Sequence, residues 1–125
     1  MQTVGYLDIE IYRCIAEHIS TDEVILTPER IQHIKERHPG HFERMEPHLR
    51  EILKEPDYIL KDERVNTGLI LKWIEKENLR LQVVLKVHTS ADDPQFKNSI
   101  LSGWVIREKE YRRLIRKKEA LYKRE

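Results

Sequence analysis

Two apolar stretches of the sequence carry side chains that could do chemistry together. In "LRLQVVLKVHT", alternation places Lys86 and His88 on one face of a predicted strand. In "KNSILSGWVI", it places Ser102 and Trp104 on one face of another strand. The connection between the two strands is short, which favours their pairing. We therefore expect Ser102 to lie near Lys86 or His88.

A histidine, a lysine, a hydroxyl and an aromatic ring suit phosphoryl transfer without a metal ion. The histidine can move a proton, the lysine can balance developing negative charge, and the hydroxyl can donate a hydrogen bond. The aromatic ring can stack on a nucleic-acid base. The alternative interpretation of these residues is an ordinary solvent-exposed strand face.

A second histidine of interest lies in "IQHIKERH". Ile31, Ile34 and His38 follow each other at helical spacing, so His38 ends the apolar face of a predicted helix. His33 points elsewhere on the same helix. A histidine at this position can be catalytic, or it can be a hydrogen-bonded residue at the edge of the core.

Motifs for other chemistries are absent from the sequence. We find no cysteine and histidine spacing for zinc, no phosphate-binding glycine loop and no nucleophile elbow. Cys14 is the single cysteine, and nothing around it suggests an activated thiol. We therefore expect no metal ion and no cofactor.

The first half of the chain predicts strands followed by helices. Alternation in "VGYLDIEIYRCI" predicts a strand at Leu7, Ile9 and Ile11, and "EVIL" predicts a second strand. A helix begins at the "TP" pair of "TPERIQHIKERH" and ends at the following "PG". "HFERMEPHLREILKEP" predicts a second helix with Pro47 in its first turn.

The second half predicts strands followed by a helix. The strand candidates are "DYILKDE", "TGLILKWIEK", "LRLQVVLKVHT" and "KNSILSGWVI". In the last of them, strict alternation pairs Leu101 with Val105 on one face and Ile100 with Ser102 on the other. "REKEYRRLIRKKEALYKRE" predicts a helix whose apolar stripe comprises Tyr111, Leu114, Ile115, Leu121 and Tyr122.

This order of elements predicts an α+β fold. N-terminal strands and helices pack on a mostly antiparallel four-stranded sheet, and a basic helix ends the chain. We expect one domain over residues 1–125, with an N-terminal extension at 1–23 and the basic terminal helix at 107–125.

Charge is unevenly distributed along the chain. The net charge is +1, but residues 107–125 hold nine Lys and Arg against four Asp and Glu. This asymmetry indicates a polyanionic partner, with a solvated helix face as the alternative. No apolar run is long enough to cross a membrane, and the N-terminal residues lack a secretory signal, so a cytoplasmic protein is expected.

Four motifs, taken in order, resemble a known family. They are "ILTPERIQHIKERHPG", "LREILKEPDYIL", "VVLKV" and "KNSILSGW", within a region from about Val24 to Tyr111. Their order resembles the phage-associated branch of the barnase–EndoU–colicin–RelE-like nucleases. The resemblance implies a small metal-independent endoribonuclease, in which a 2′-hydroxyl attacks the adjacent phosphate and leaves a cyclic phosphate and a 5′-hydroxyl.

The resemblance also implies roles for individual residues. His38 becomes the general acid or base, with Lys86 and Ser102 as its catalytic partners. Glu110 and Tyr111 could match an acidic and a tyrosine position of related toxins. Together with the residue patterns above, it suggests these substrate-binding candidates: Arg64, His88, Asn98, Ser99, Trp104, Arg112 and Arg113.

The resemblance implies a partner and a biological setting as well. RNA is the expected partner, a cognate inhibitor protein is a second candidate, and the protein is expected to be a toxin of a phage or mobile element. Two alternatives remain open. One is a catalytically inactive RNA- or protein-binding module on the same fold, which would bind RNA through Arg112, Arg113, Arg116 and Lys117. The other is a structural or regulatory protein whose terminal helix docks a partner.

Overall fold

The computed structural model describes residues 2–125 and contains seven strands and five α-helices in that range. The strands are β1 Gln2–Tyr6, β2 Glu23–Leu26, β3 Tyr58–Lys61, β4 Thr67–Ile74, β5 Leu79–Lys86, β6 Asn98–Ile106 and β7 Ala120–Lys123. The helices are α1 Ile9–Tyr12, α2 Pro28–Arg37, α3 His41–Met45, α4 Leu49–Lys54 and α5 Glu108–Lys117. None of these helices is long and apolar enough to cross a membrane.

All seven strands form one sheet in the order β1-β2-β6-β5-β4-β3-β7. The predicted antiparallel meander is confirmed as β3, β4, β5 and β6. The mixed α+β class is therefore confirmed, but the sheet is wider than the predicted four strands. On one side, β2 pairs in parallel with β6 and antiparallel with β1, and on the other side β7 pairs antiparallel with β3.

Both ends of the chain differ from the prediction. The strand expected at Leu7, Ile9 and Ile11 is wrong, because Asp8 accepts a hydrogen bond from the backbone N–H of Glu10 and begins α1 there. The N-terminal strand is β1 instead. The terminal helix was predicted to run to residue 125, but α5 ends at Lys117.

The residues after α5 form β7 because the edge of β3 is available to them. Lys118 has extended backbone dihedrals, and Tyr122 pairs with Ile59 of β3. Leu121 and Tyr122 pack against the main core rather than extending the apolar stripe of α5. Pairing with β3 satisfies backbone groups on both strands, which a further turn of helix could not do.

The helical region is confirmed in its first part and corrected in its second. The Thr27 hydroxyl caps α2 by accepting from the backbone N–H of Arg30 at 3.2 Å, and Pro28 occupies the first turn. The second predicted helix is two helices, α3 and α4, joined by a 3₁₀ turn over Glu46–His48. Pro47 lies in this turn because it lacks the N–H that a continuous helix would use there.

The sheet separates two apolar cores. The main core lies under α2, α3 and α4 and includes Leu79, Leu81, Val83, Leu85 and Val87, which confirms the predicted apolar face of β5. The smaller core lies on the opposite side of the sheet, which we call the α5 face. It contains Val84, Ile106 and Leu114, with Trp104 and Tyr111 packed against it. The second face of β5 is therefore partly covered and is not an ordinary solvent-exposed face.

A bulge changes the alternation of β6. Val84 pairs with Ser102, but the next residue, Leu85, pairs with Ile100, so Leu101 is the extra residue. Ile100 consequently joins the main core and Leu101 packs on the α5 face, the reverse of the sides that strict alternation gave them. Beyond the bulge, the predicted grouping of Ser102 with Trp104 on one face is retained.

Candidate active site

The candidate site lies where the end of α2 meets the free edge of β6. Within residues 2–125, β2 pairs with β6 only at Asn98 and Ser99, so the rest of this edge has no strand partner in that range. His38 ends α2 by donating its backbone N–H to the carbonyl of Ile34 at 2.8 Å. Its imidazole stacks on the indole of Trp104, with centroids 4.6 Å apart and planes 15° from parallel.

The half-buried imidazole of His38 is oriented by this stack and not by hydrogen bonds. Within residues 2–125, neither ring nitrogen of His38 has a hydrogen-bond partner. Burial lowers the pKa of His38 below its usual 6.5, and the nearby His41, Arg37 and His33 lower it further. His38 is therefore neutral at pH 7 and able to accept a proton.

His41 is a second histidine at the site, and it is not among the site residues predicted from the sequence. It follows Gly40, whose φ of +83° suits a residue without a side chain, and begins α3. Its Nδ1 accepts a hydrogen bond from the backbone N–H of Val105 at 3.0 Å. In the neutral ring the proton is then on Nε2. The sequence "HPGH" contains the signal for this pair, because a tight turn at Pro39 and Gly40 brings His38 and His41 together. Their ring centroids are 5.5 Å apart.

A cavity of about 360 Å³ lies next to the two histidines, and we call it the His38 cavity. Its other lining side chains are Trp104, Val105, Ile106, Arg107, Lys109, Glu110 and Arg113. Arg113 donates two hydrogen bonds to Glu110, at 2.7 and 2.8 Å. These bonds lower the pKa of the Glu110 carboxyl, so the carboxylate is ionised at neutral pH. The remaining charges of the cavity are cationic, so it favours an anionic ligand.

The other two predicted catalytic residues lie on the α5 face at increasing distance from His38. Ser102 is half-buried, opposite Val84, and two residues from Trp104 along β6. Lys86 is exposed at the end of β5. The residue of β5 that lies opposite Trp104 is Gln82 and not Lys86. Four residues of strand separate Gln82 from Lys86, which is about 13 Å. Neither Ser102 nor Lys86 is among the residues that line the His38 cavity, and Lys86 lies farther than Ser102 from Trp104 on the same face.

His88 and Asn98 hold the end of the sheet together. His88 is 7% exposed, and its Nδ1 and Nε2 contact the Ser20 hydroxyl and the Asp93 carbonyl. Asn98 is fully buried; its amide donates to the carbonyls of Thr21 and Glu23, and its oxygen accepts from the backbone N–H of His88 at 2.7 Å. Neither residue lines the His38 cavity.

The remaining predicted binding residues occupy three different places. Ser99 pairs with Lys86 in the sheet. Arg64 lies in the turn between β3 and β4 and holds both oxygens of Asp62, at 2.9 and 3.0 Å. Arg112 bonds Glu108 within α5 and points away from the His38 cavity, whereas Arg113 lines it. Of the predicted residues, the structure therefore gathers His38, Trp104, Glu110 and Arg113 around one cavity.

A comparison with protein-family models gives one match that covers nearly the whole chain. The family is described as phage-Barnase-EndoU-ColicinE5/D-RelE like nuclease2, and residues 2–123 match it. The match includes β1 and β7, which lie outside the region where the sequence motifs showed the resemblance. Searches among curated proteins and among solved structures gave no match.

Proposed function

Because this chain belongs to the phage Barnase–EndoU–ColicinE5/D–RelE-like nuclease family, we propose that it is a metal-independent endoribonuclease whose reaction takes place in the His38 cavity. One observation carries this proposal. The imidazole of His38 is stacked on Trp104 with both nitrogens free of protein partners in residues 2–125, beside a cavity lined by arginine and lysine. An oriented, neutral imidazole next to cationic side chains is the arrangement that general base catalysis on a phosphodiester requires.

The proposed reaction is an internal transphosphorylation. The 2′-oxygen of a ribose attacks the adjacent phosphorus while His38 accepts the 2′-hydroxyl proton. The bond from phosphorus to the 5′-oxygen of the next nucleotide breaks, and that oxygen takes up a proton. That proton comes from a solvent water molecule, and His38 afterwards returns to solvent the proton that it accepted. His41 is proposed to donate a hydrogen bond from Nε2 to a phosphate oxygen, because its Nδ1 accepts from the backbone N–H of Val105 and the neutral ring then carries its proton on Nε2. The products are a 2′,3′-cyclic phosphate and a 5′-hydroxyl.

Cationic side chains of the cavity balance the charge that builds up on the phosphate oxygens. Arg113 is the principal candidate, with Arg107 and Lys109 on the same wall. Ser102 is proposed to donate a hydrogen bond to a phosphate oxygen from its place beside Trp104. Lys86 is proposed to bind a neighbouring phosphate of the same strand, given its greater distance from His38.

The test is cleavage of total RNA in EDTA by purified protein. We expect the wild type to produce fragments with cyclic phosphate ends, and His38→Ala to leave the RNA intact while keeping its circular dichroism spectrum. The exposed His18, far from the cavity in sequence and not among its lining residues, supplies the matched control His18→Ala, which should cleave normally. Equal cleavage by His38→Ala, or none by the wild type, would contradict the proposal.

A role as a toxin of a phage or mobile element follows from the proposed activity. Expression of an active ribonuclease should arrest growth of the host cell, and a cognate inhibitor protein would then be its natural partner. The matching test compares growth during expression of wild type, His38→Ala and His18→Ala. We expect growth arrest with the wild type and with His18→Ala, and normal growth with His38→Ala. Arrest by all three proteins would show that toxicity does not depend on cleavage.

A catalytically inactive RNA-binding module is the second candidate function. It is favoured by Arg107 and Arg116, neither of which has a carboxylate partner in residues 2–125. Such a module would bind RNA with a strong dependence on salt, and His38→Ala would leave that binding unchanged. Intact RNA in the cleavage test, together with salt-dependent binding, would therefore identify this second function.

A further inference from the structure

Two further cavities continue from the His38 cavity around the first turn of α5. The Arg44 cavity, of about 510 Å³, shares His41 and Arg107 with the His38 cavity and adds Arg44 and Arg80. The Trp73 cavity, of about 500 Å³, shares Arg80 with the Arg44 cavity and is also lined by Trp73, Tyr111, Arg112 and Arg116. The shared lining residues therefore place the three cavities next to one another in one series.

Arg80 lines both the Arg44 cavity and the Trp73 cavity and lies close to two aromatic rings. Its guanidinium lies 5.0 Å from the ring centroid of Trp73 and 5.9 Å from that of Tyr111. Trp73 is 40% exposed, which is unusual for so large an apolar side chain on a sheet. An exposed indole next to a guanidinium offers one surface on which a base can stack and one group that can bind its phosphate.

The charges along the series have one predominant sign. No acidic residue lines the Trp73 cavity in the described chain, and Glu108 is the one acidic residue that lines the Arg44 cavity. Glu108 lies 3.9 Å from Arg80 and 2.8 Å from Arg112. Arg44, Arg107 and Arg116 have no carboxylate partner within residues 2–125. The surface is thus complementary to a polyanion.

We propose that this series of cavities binds single-stranded RNA longer than two nucleotides, with Trp73 as a stacking platform remote from the cleavage site. The inference rests on the proposed ribonuclease function and names the part of the substrate that lies outside the reacting phosphate. Trp104 and Trp73 lie on the same sheet face, about 12 Å apart at their Cα atoms. Helix α5 stands between the His38 cavity and the Trp73 cavity. A bound RNA strand must therefore pass around the first turn of α5, along Arg107 and Arg80, to reach both.

The two tryptophans of the chain make the proposal directly measurable. Trp104→Phe leaves Trp73 as the single tryptophan, and Trp73→Phe leaves Trp104, so excitation at the red edge of the tryptophan band reports each indole separately from the tyrosines. The probes are a dinucleotide and a hexanucleotide with 2′-O-methyl riboses, which cannot be cleaved. We expect the dinucleotide to quench Trp104 alone and the hexanucleotide to quench both. A hexanucleotide that leaves Trp73 emission unchanged overturns the proposal and points to a protein partner for this surface.

Affinity gives a second, independent readout. Arg116→Gln should weaken binding of the hexanucleotide several-fold and leave the dinucleotide unaffected. Arg50→Gln is the matched control, because Arg50 is also an exposed arginine but lies on α4, across the sheet from α5. Equal affinity of wild type and Arg116→Gln for the hexanucleotide, with no response of Trp73, would overturn the proposal.

Failure of the ribonuclease function would look different from failure of this inference. Binding of 2′-O-methyl RNA needs no catalysis, so His38→Ala should retain the Trp73 response. A protein that does not cleave RNA but shows that response lacks the proposed reaction and keeps the binding surface. A protein that cleaves RNA without the response keeps the reaction and lacks the binding surface.

Discussion

The imidazole of His38 stacks almost parallel on the indole of Trp104, with 4.6 Å between the ring centroids. This contact joins the end of α2 to the free edge of β6, two elements far apart in the sequence. It holds the imidazole plane without using either ring nitrogen. The stack therefore orients a proton acceptor and leaves it free to contact a substrate, and loss of the stack has a measurable consequence.

Replacement of Trp104 by an aliphatic residue should lower the rate of cleavage strongly, beyond what any loss of folded protein explains. In Trp104→Leu the imidazole loses its support, and misplacement of a catalytic group by about 1 Å can cost roughly 100-fold in rate. Trp104→Phe keeps a flat ring under His38 and should retain most of the activity. Cleavage rates measured together with urea unfolding test this expectation. Similar rates for the leucine and phenylalanine variants would show that stacking does not position His38.

The pH dependence of cleavage should report the pKa of His38. Burial, His41, Arg37 and His33 disfavour the imidazolium, so the pKa lies below 6.5 and activity should fall only as the pH drops through that lower value. Arg37→Gln removes one of these charges and should move the acid limb of kcat/KM upward, towards 6.5. Arg50→Gln should not move it. An acid limb above 6.5 in the wild type would contradict His38 as the base.

The lowered pKa of His38 should also make the stability of the protein depend on pH. A pKa that is lower in the folded than in the unfolded protein means that the unfolded state binds more protons. The free energy of unfolding should therefore decrease as the pH falls below 6.5, until the folded-state pKa is passed. His38→Ala should reduce this decrease in urea unfolding experiments. An unchanged pH dependence in the variant would assign the effect to other groups.

The parts of the fold that depend on local pattern could be predicted from the sequence. The alternation of β5 places Leu81, Val83 and Leu85 in one core whatever the neighbouring strands do. The start of α2 follows likewise from Thr27 and Pro28, whose effects reach only the first turn.

The parts that depend on contacts between distant segments could not be predicted. The bulge at Leu101 exists only in the register between β5 and β6, and Leu121 and Tyr122 suit a helix stripe equally well until β3 offers them an edge. The site shows the same division. Helical spacing selected His38, but the contact of His41 with Val105 depends on how α3 packs against β6.

Lys86 should affect substrate binding more than the chemical step. It lies on the α5 face but about 13 Å along the strand from the residue opposite Trp104, so it should contact a phosphate other than the one that reacts. Lys86→Gln should raise KM and leave kcat nearly unchanged. The salt dependence of binding should fall by about 0.7 in log–log slope for one lost contact with a single strand.

The control for Lys86 is Lys61→Gln. Lys61 is an exposed lysine at the end of β3, and its neighbour on the same side of that strand, Ile59, belongs to the main core. It therefore lies on the opposite sheet face from Lys86 and should change neither constant. A fall of kcat by 100-fold or more in Lys86→Gln, of the size seen on loss of a group acting in the transition state, would instead place Lys86 at the reacting phosphate.

Asn98 should prove important for stability and not for cleavage. Its side chain is fully buried and makes three hydrogen bonds to backbone groups of Thr21, Glu23 and His88. Asn98→Ala leaves these groups unpaired and should cost about 1–3 kcal/mol of unfolding free energy. The fraction that remains folded should cleave RNA at the wild-type rate. A stable variant with impaired cleavage would support the substrate-binding role predicted from the sequence.

Gly103 should be required for the contact between β6 and α3. A Cβ atom at this position would lie 2.8 Å from Sδ of Met45 and 3.1 Å from the backbone oxygen of Gln82. The methionine side chain can move but the strand backbone cannot, so Gly103→Ala should cost about 1–3 kcal/mol through overpacking.

Met45→Ala should cost about 2–5 kcal/mol by itself, and the double variant should lose less than the sum because the two groups compete for one space. Urea unfolding of the four proteins measures the coupling, with Ser99→Ala in the same strand as control. If the two losses simply add, Gly103 is not needed to admit Met45, and another contact must hold α3 and His41 against β6.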